Sequence, residues 1–162
     1  MSAAERGADD GGHGPLDEVD RALVQALRQD GRATLSSLAA MTGLSLSAVQ
    51  ARVRKLEARD VITGYRAVVD PEVLGLPITA FVEITPLDQS QVDDAPERLR
   101  EVPGIEACYS VAGGANYLLL VRVASPRALE ELLGSIRREA SVSTRSTVVL
   151  QTYFEGRASA AP

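Results

Sequence analysis

Between residues 16 and 62 the apolar positions recur at helical spacing and predict three short helices. The first runs from Leu16 to Asp30, with Asp17 as its candidate N-cap. The stretch from Thr34 to Ile62 then has the pattern of a helix-turn-helix, with a tight turn at Gly43 and N-caps at Thr34 and Ser45. Its longer helix carries one narrow apolar stripe, which consists of Leu46, Val49, Val53 and Leu56.

The opposite side of that longer helix is polar and basic. Small side chains there allow a close approach to a DNA major groove, while Gln and Arg reach base edges and cations meet phosphates. The candidate DNA-binding residues are Ser45, Ser47, Gln50, Ala51, Arg52, Arg54 and Lys55. The alternative interpretation is a surface helix of a bundle whose cations are solvated.

From Ile78 onwards the apolar period changes from helical spacing to two, which predicts a strand. Further elements follow, namely a helix over Val92–Val102, strands over Ile105–Ala112 and Tyr117–Val123, a helix that begins at Ser125-Pro126, and a strand over Thr144–Phe154. The order β-α-β-β-α-β predicts an α+β chain in which a winged helix-turn-helix domain precedes a ferredoxin-like βαββαβ domain. The β-rich stretch Val61–Val69 is the predicted wing or pairing strand.

These patterns divide the chain into five predicted parts. Residues 1–15 form a disordered tail, 16–62 the helix-turn-helix, 63–76 a linker strand, 77–155 the ferredoxin-like domain and 156–162 a second tail. Two helices cover one face of the predicted sheet, whereas the other face carries Phe81 and other apolar side chains. We expect a second copy of the chain on that open face, the alternative being a monomer.

Composition narrows the possible functions. None of the apolar runs approaches the ~20 residues of a membrane span, and the first residues lack a signal pattern, so a cytoplasmic protein is predicted. One cysteine, Cys108, excludes an internal disulfide framework, and we expect it to pack as a small apolar residue. The one histidine, His13, lies in the predicted tail, so no metal or cofactor is expected.

Charge is distributed unevenly along the chain. The net charge is −5, yet residues 32–66 hold six cations and two acids, a local net of +4. Screening over ~8–10 Å separates such a patch from distant acids. A basic patch on an acidic body is therefore compatible with binding double-stranded DNA.

Several segments, in this order and at this spacing, resemble the Lrp/AsnC family of feast/famine transcriptional regulators. They are LDEVDRALVQALRQDGR, LAAMTGLS, VRKLEARDVITGY, DPEVLGL and VAGGANYLLLV, spread from about Leu16 to Glu155. The resemblance implies an N-terminal DNA-binding domain and a C-terminal RAM domain for effector binding and oligomerisation. It also implies homodimers, frequently assembled into octamers, and amino-acid effectors bound between dimers near a strand hairpin.

The resemblance carries over to particular residues. Ser45, Ser47, Arg52 and Arg54 match positions of the family's recognition helix, and Leu46 and Ala51 stand where the family often has Pro and a cation. The effector-binding candidates are Gly113, Gly114, Ala115, Asn116 and Tyr117. Gly114 and Asn116 stand where the family commonly has acids, and a carboxylate near an effector's ammonium would be a charge-assisted partner. The alternative is that residues 113–116 are simply a hairpin turn.

Three functional hypotheses follow. The leading one is a sequence-specific transcriptional regulator modulated by a small effector. The second is an architectural protein that compacts DNA without an effector, which the missing loop acids favour slightly. The third is an enzyme on the same scaffold, similar to siroheme decarboxylases, but those use histidine and this chain has only His13, so we predict that the protein is not an enzyme.

Overall fold

The computed structural model describes residues 15–88, 90 and 94–156. The chain folds into two compact units, each of which contacts mainly itself. One unit runs up to Ala67 and also takes in Gly156, and the other spans Val68–Glu155. The boundary falls inside residues 63–76, where the sequence predicts a linker. Most of the predicted N-terminal tail, with His13, and residues 157–162 lie outside the described residues.

The first unit contains three helices, α1 (Glu18–Gln29), α2 (Leu35–Thr42) and α3 (Leu46–Ala58). Each begins where the sequence predicts, because a side-chain oxygen of Asp17, Thr34 or Ser45 accepts a backbone N–H of the first turn. Gly43 ends α2 at φ 70°, a left-handed conformation that costs glycine little. The unit has its own buried core, which consists of Leu23, Leu38, Val49, Val53 and Leu56.

The predicted wing is wrong, because residues 61–77 form no strand. A β-rich segment needs a neighbouring strand to complete its backbone hydrogen bonds. Gly64, at φ 155°, interrupts the segment. Tyr65 instead bonds through its hydroxyl to Glu57 of α3, and a turn closes at Pro71, whose carbonyl accepts the N–H of Leu74.

The second unit follows the predicted β-α-β-β-α-β order. Its elements are β1 (Ile78–Pro86), α4 (Ala95–Leu99), β2 (Ile105–Ser110), β3 (Tyr117–Val123), α5 (Pro126–Ala140) and β4 (Val142–Val148). The strands form one sheet in the order β2-β3-β1-β4, with every neighbouring pair antiparallel. This is the ferredoxin-like arrangement predicted from the sequence.

Alternation along the strands separates the two faces of the sheet. Ala80, Val82 and Ile84 of β1 are fully buried and belong to the same core as the inner residues of α5. That core includes Leu129, Leu132, Leu133 and Ile136, whose helical spacing in the sequence places them on one face of the helix. On the other face Phe81 lies opposite Leu120, and Tyr109 lies opposite Leu118. Phe81 remains 39% exposed and Tyr109 53% exposed.

Three predicted elements end earlier than expected. Strand β4 stops at Val148, opposite Ala80 of β1, instead of at Phe154. Beyond it one backbone hydrogen bond, from Val149 to the carbonyl of Thr79, still joins the chain to β1. Strand β2 stops at Ser110. Helix α4 covers only Ala95–Leu99, with a proline in its first turn, and the predicted start at Val92 lies outside the described residues. Within the described part of the chain, no helix combines the length and apolar character that a membrane crossing requires.

Candidate nucleic-acid interface and effector site

The N-terminal end of α3 is built by two serines. The Oγ of Ser45 accepts the backbone N–H of Ala48 at 3.2 Å and lies 3.2 Å from the Oγ of Ser47. Capping therefore orders the first turn of the helix. The Ser47 hydroxyl remains exposed at that end.

The side of α3 predicted to face DNA is open to solvent. Ser47, Ala51, Arg54 and Lys55 are exposed, and Gln50 is half-buried beside them. Neither Arg54 nor Lys55 forms an ion pair within the described residues, so both cations are available for an anionic partner. The predicted outward face and the observed exposure agree at these positions.

Leu46 does not belong to the buried stripe in which the sequence placed it. Its side chain is 50% exposed, whereas Val49, Val53 and Leu56 are buried. It occupies the first position of α3, directly after the N-cap Ser45. The helical period alone could not distinguish this position from the interior ones, but its location at the helix start could have done so.

Arg52 faces α1. Its Nη1 lies 2.5 Å from Oδ2 of Asp17 and 2.7 Å from Oδ1 of Asp20. The hydrogen bond to Asp17, followed by the one to Asp20, raises the pKa of the Arg52 guanidinium. The structure thus separates Arg52 from the other DNA-binding candidates, which share the outer face.

Two backbone hydrogen bonds hold the loop of the β2–β3 hairpin, one within the hairpin and one to β1. The N–H of Val111 donates to the carbonyl of Asn116, and the N–H of Asn116 donates to the carbonyl of Ile84 in β1, both at 3.1 Å. Gly113 has φ 149°, in the region that favours glycine, and it is exposed together with Gly114. Successive backbone N–H groups of a turn can hold an anion such as a carboxylate. Because the Asn116 N–H already donates to Ile84, only the N–H groups of residues 113–115 in this loop remain for that role.

A cavity of about 500 Å³ lies beside the hairpin, between α4 and strand β2. Of the five predicted effector residues only Tyr117 lines it. The other lining residues are Pro96, Leu99, Arg100, Ile105, Glu106, Ala107, Cys108 and Ser110. Sequence reasoning missed Arg100 and Glu106, because a single cation after a short helix and a single acid on an edge strand stand out in neither periodicity nor motif.

Two lining residues differ from what their sequence context indicates. Cys108 is exposed rather than packed as a small apolar side chain, since β2 is an edge strand and the short α4 leaves its rim open. The carboxylate of Glu106 accepts a hydrogen bond of 2.8 Å from Arg122, a residue that also bonds to Glu155. The cavity wall therefore carries both charged and apolar groups. No cluster of three or more His, Cys, Asp or Glu suited to a metal occurs in the described ranges.

Family models match both units of the chain. The AsnC-type helix-turn-helix domain matches residues 16–57, and the Lrp/AsnC ligand binding domain matches residues 79–159. The first range includes all of α3 except Ala58, and the second includes every residue that lines the cavity.

Individual relatives agree with the family models. The chain is 59% identical over 142 residues to the HTH-type transcriptional regulator LrpA of Mycobacterium tuberculosis, covering 88% of this chain and 95% of the relative. It is 36% identical to the leucine-responsive regulatory protein of Escherichia coli, over 84% of this chain and 85% of the other.

A solved structure extends the comparison to the fold. The feast or famine regulatory protein of M. tuberculosis complexed with L-methionine superposes with a TM-score of 0.88 at 58% identity, over 90% of this chain and 99% of the other. All three relatives are described as regulators, which confirms the prediction of a regulator rather than an enzyme. The chain therefore belongs to the Lrp/AsnC family of transcriptional regulators.

Proposed function

We propose that the protein recognises specific DNA sequences by inserting α3 into the major groove. The observation that carries this proposal is the exposed outer face of α3, on which small, polar and cationic side chains stand together. In helix-turn-helix proteins the N-terminal residues of the second helix contact base edges. Here that end presents Ser47, with Gln50 one turn further along and Ala51 leaving room for the approach.

Each side chain has a role that its chemistry supports. Ser47 and Gln50 hydrogen-bond to base edges, and Arg54 and Lys55 neutralise phosphates. Leu46 offers an apolar surface at the same end of the helix, and the C5-methyl group of thymine is the apolar feature of the major groove. Phosphate contacts supply affinity that depends on salt, whereas base contacts supply specificity.

Binding of labelled operator DNA, measured by fluorescence anisotropy at several salt concentrations, tests the proposal. Arg54→Ala is expected to weaken binding and to reduce the slope of log K against log salt by about 0.9. Arg127→Ala is the matched control, because Arg127 is an exposed arginine on α5 in the other unit. Equal slopes for Arg54→Ala and the unmodified chain would show that Arg54 is not a phosphate contact.

We propose further that an amino acid acts as effector at the β2–β3 hairpin and the adjoining cavity. A free amino acid needs an anion partner, a cation partner and an apolar surface. Arg100 suits the carboxylate, Glu106 suits the ammonium, and Leu99 and Ile105 suit an apolar side chain. Glu106 supplies the acid that is missing from the loop itself. The relative from M. tuberculosis was crystallised with L-methionine, which supports this ligand class.

Calorimetric titration with L-methionine and then with the other common amino acids tests the effector. We expect binding to be lost in Arg100→Ala and retained in Arg138→Ala, which alters an exposed arginine on α5 away from the cavity. Equal binding by both variants would place the ligand elsewhere. If the unmodified chain binds none of these amino acids, the architectural hypothesis is favoured.

Self-association completes the proposal. The open face of the sheet, with Phe81, Tyr109, Leu118 and Leu120, fits an isologous contact with a second copy. We propose a homodimer through this face, assembly of dimers into octamers, and action on DNA in the cytoplasm. Light scattering coupled to gel filtration tests the dimer, because Phe81→Glu is expected to shift the mass towards a monomer, whereas Leu87→Glu, at an exposed site just after β1, is not.

A further inference from the structure

The guanidinium of Arg52 is held between two carboxylates of another helix. One nitrogen, Nη1, reaches both Asp17 and Asp20, at 2.5 and 2.7 Å. Asp17 is the N-cap of α1 and Asp20 lies in its first turn, whereas Arg52 lies near the middle of α3. A single side chain therefore joins the beginning of one helix to the centre of the other.

Burial of Asp20 opposes any movement of Arg52 away from its carboxylate partners towards another anion. The side chain of Asp20 is only 10% exposed and that of Arg52 is 34% exposed. Among the described residues, Asp20 is the one charged residue classed with the buried core. A carboxylate removed from water requires a partner, and Arg52 is the cation that supplies it. If Arg52 turned towards a phosphate, Asp20 would be left buried without its cation.

Asp17 has two functions in the same cluster. Its Oδ1 accepts the backbone N–H of Asp20 at 2.7 Å and so caps α1, while its Oδ2 accepts a hydrogen bond from Arg52. The backbone hydrogen bond from Asp20, followed by the hydrogen bond from Arg52, lowers the pKa of Asp17. The cap of α1 and the ion pair with α3 therefore use one carboxylate.

We propose that Arg52 is a positioning residue, which fixes the orientation of α3 against α1 and makes no contact with DNA. The proposal rests on the proposed function of α3 as the DNA-reading helix. It differs from the sequence-based prediction, in which Arg52 was one of the DNA-binding residues. Arg54, two residues later, faces outward without an ion pair in the described part of the chain and provides the contrast.

The test compares affinity and salt dependence for variants that remain folded by circular dichroism. Arg52→Ala is expected to weaken DNA binding roughly tenfold while leaving the salt slope unchanged, because an orientation is lost and not a phosphate contact. Arg54→Ala is expected to reduce the slope by about 0.9. Arg52→Lys, which keeps the charge, is expected to restore part of the affinity.

The variant Asp20→Asn distinguishes a positioning role of Arg52 from a general electrostatic effect on DNA binding. Removing a negative charge from a DNA-binding unit strengthens binding if long-range electrostatics alone matter. The positioning role predicts weaker binding instead, because Arg52 loses the buried one of its two carboxylate partners and keeps only Asp17. This variant and Arg52→Lys remain informative even if Arg52→Ala does not fold.

Two results would overturn the proposal. One is a salt slope reduced as much in Arg52→Ala as in Arg54→Ala, and the other is tighter binding by Asp20→Asn. An unchanged slope in Arg54→Ala would instead refute the proposed DNA-reading face of α3, so the two failures are distinguishable.

Discussion

The hydroxyl of Tyr65 donates a hydrogen bond of 2.9 Å to Oε1 of Glu57, joining the segment that follows α3 to the helix itself. Partial burial first, and the Glu57 carboxylate second, raise the pKa of Tyr65 above its ordinary value of 10.0. Half of the side chain is exposed, so solvent screens the effect. The contact connects the recognition helix to the chain that leaves it.

This contact predicts a dependence of stability on alkaline pH. A raised pKa in the folded state means that the contribution of Tyr65 is fully present below pH ~10 and is lost as pH rises through the raised value. Urea unfolding between neutral pH and pH ~11 should therefore show a steeper loss of stability in the unmodified chain than in Tyr65→Phe. Glu57→Gln, which removes the charged acceptor, should give an intermediate curve, and three coincident curves would contradict the prediction.

The lowered pKa of Asp17 predicts that stability also depends on pH in the acidic range, with the opposite sign. Its pKa is lowered, so its contribution is present above the ordinary value of 3.8 and is lost as pH falls through the lower folded value. Asp17→Asn keeps an oxygen that can cap α1 but removes the charge. We expect the variant to be less stable than the unmodified chain at pH 7, with the difference shrinking as the pH falls below ~4. A difference that stays constant with pH in urea unfolding would contradict this.

Among the glycines that the structure describes, Gly104 combines a positive φ with close neighbours on the side where a Cβ would stand. It has φ 91°, and a Cβ there would lie 3.2 Å from Cδ2 of Leu132 and 3.4 Å from the carbonyl oxygen of Arg122. Gly104→Ala is expected to lower the free energy of unfolding by about 1–3 kcal/mol. Gly114→Ala is the control, because a Cβ at Gly114 meets nothing within 4 Å and a change of at most about 0.5 kcal/mol is expected. Similar losses in thermal unfolding of both variants would refute the prediction.

The two cores predict effects confined to one unit each. Leu23 and Ile136 are fully buried in different clusters. Replacing either by Ala is expected to cost about 2–5 kcal/mol in the unit that contains it. Hydrogen exchange resolved by residue should show lost protection in α1–α3 for Leu23→Ala and in the sheet for Ile136→Ala. Loss of protection throughout the chain in both variants would contradict separate cores.

The proposed contact of Leu46 with a thymine methyl group predicts that DNA affinity depends on that methyl group. Replacing thymine by uracil removes the C5-methyl group and leaves base pairing intact. If Leu46 contacts such a methyl group, one thymine position should lose affinity on substitution in the unmodified chain but not in Leu46→Ala. Because Leu46 is half exposed, the variant should unfold within about 0.5 kcal/mol of the unmodified chain. Equal sensitivity to uracil in both proteins would exclude the contact.

Local chemistry made most of the fold predictable. Helix starts at Asp17, Thr34, Ser45 and Ser125 depend on a capping oxygen within the same turn, and all four were predicted and confirmed. The alternation of β1 and the order of the elements likewise depend on neighbouring residues. Such features are encoded within a few positions of one another.

Features that depend on distant residues were not predictable in the same way. The last paired residue of β4, Val148, lies opposite Ala80 of β1, some seventy residues earlier in the chain. The helical pattern of the sequence places Arg52 beside the outer face of α3, yet its side chain bonds to α1, whose two acids lie more than thirty positions upstream. The cavity beside Tyr117 is formed by residues of α4 and β2 whose types carry no motif. In each case spatial neighbours, and not sequence neighbours, determine the outcome.

The exposed face of α3 carries Lys55, which is the single lysine of the chain, and the edge strand β2 carries its single cysteine, Cys108. The α-amino group apart, the protein thus holds one amine in the DNA-binding unit and one exposed thiol in the sheet unit. Two different dyes can be attached at these sites by orthogonal chemistry, without any mutation. A fluorescent pair placed in this way reports the distance between the two units in the native sequence, and protection of the amine by operator DNA reports occupancy of the recognition helix.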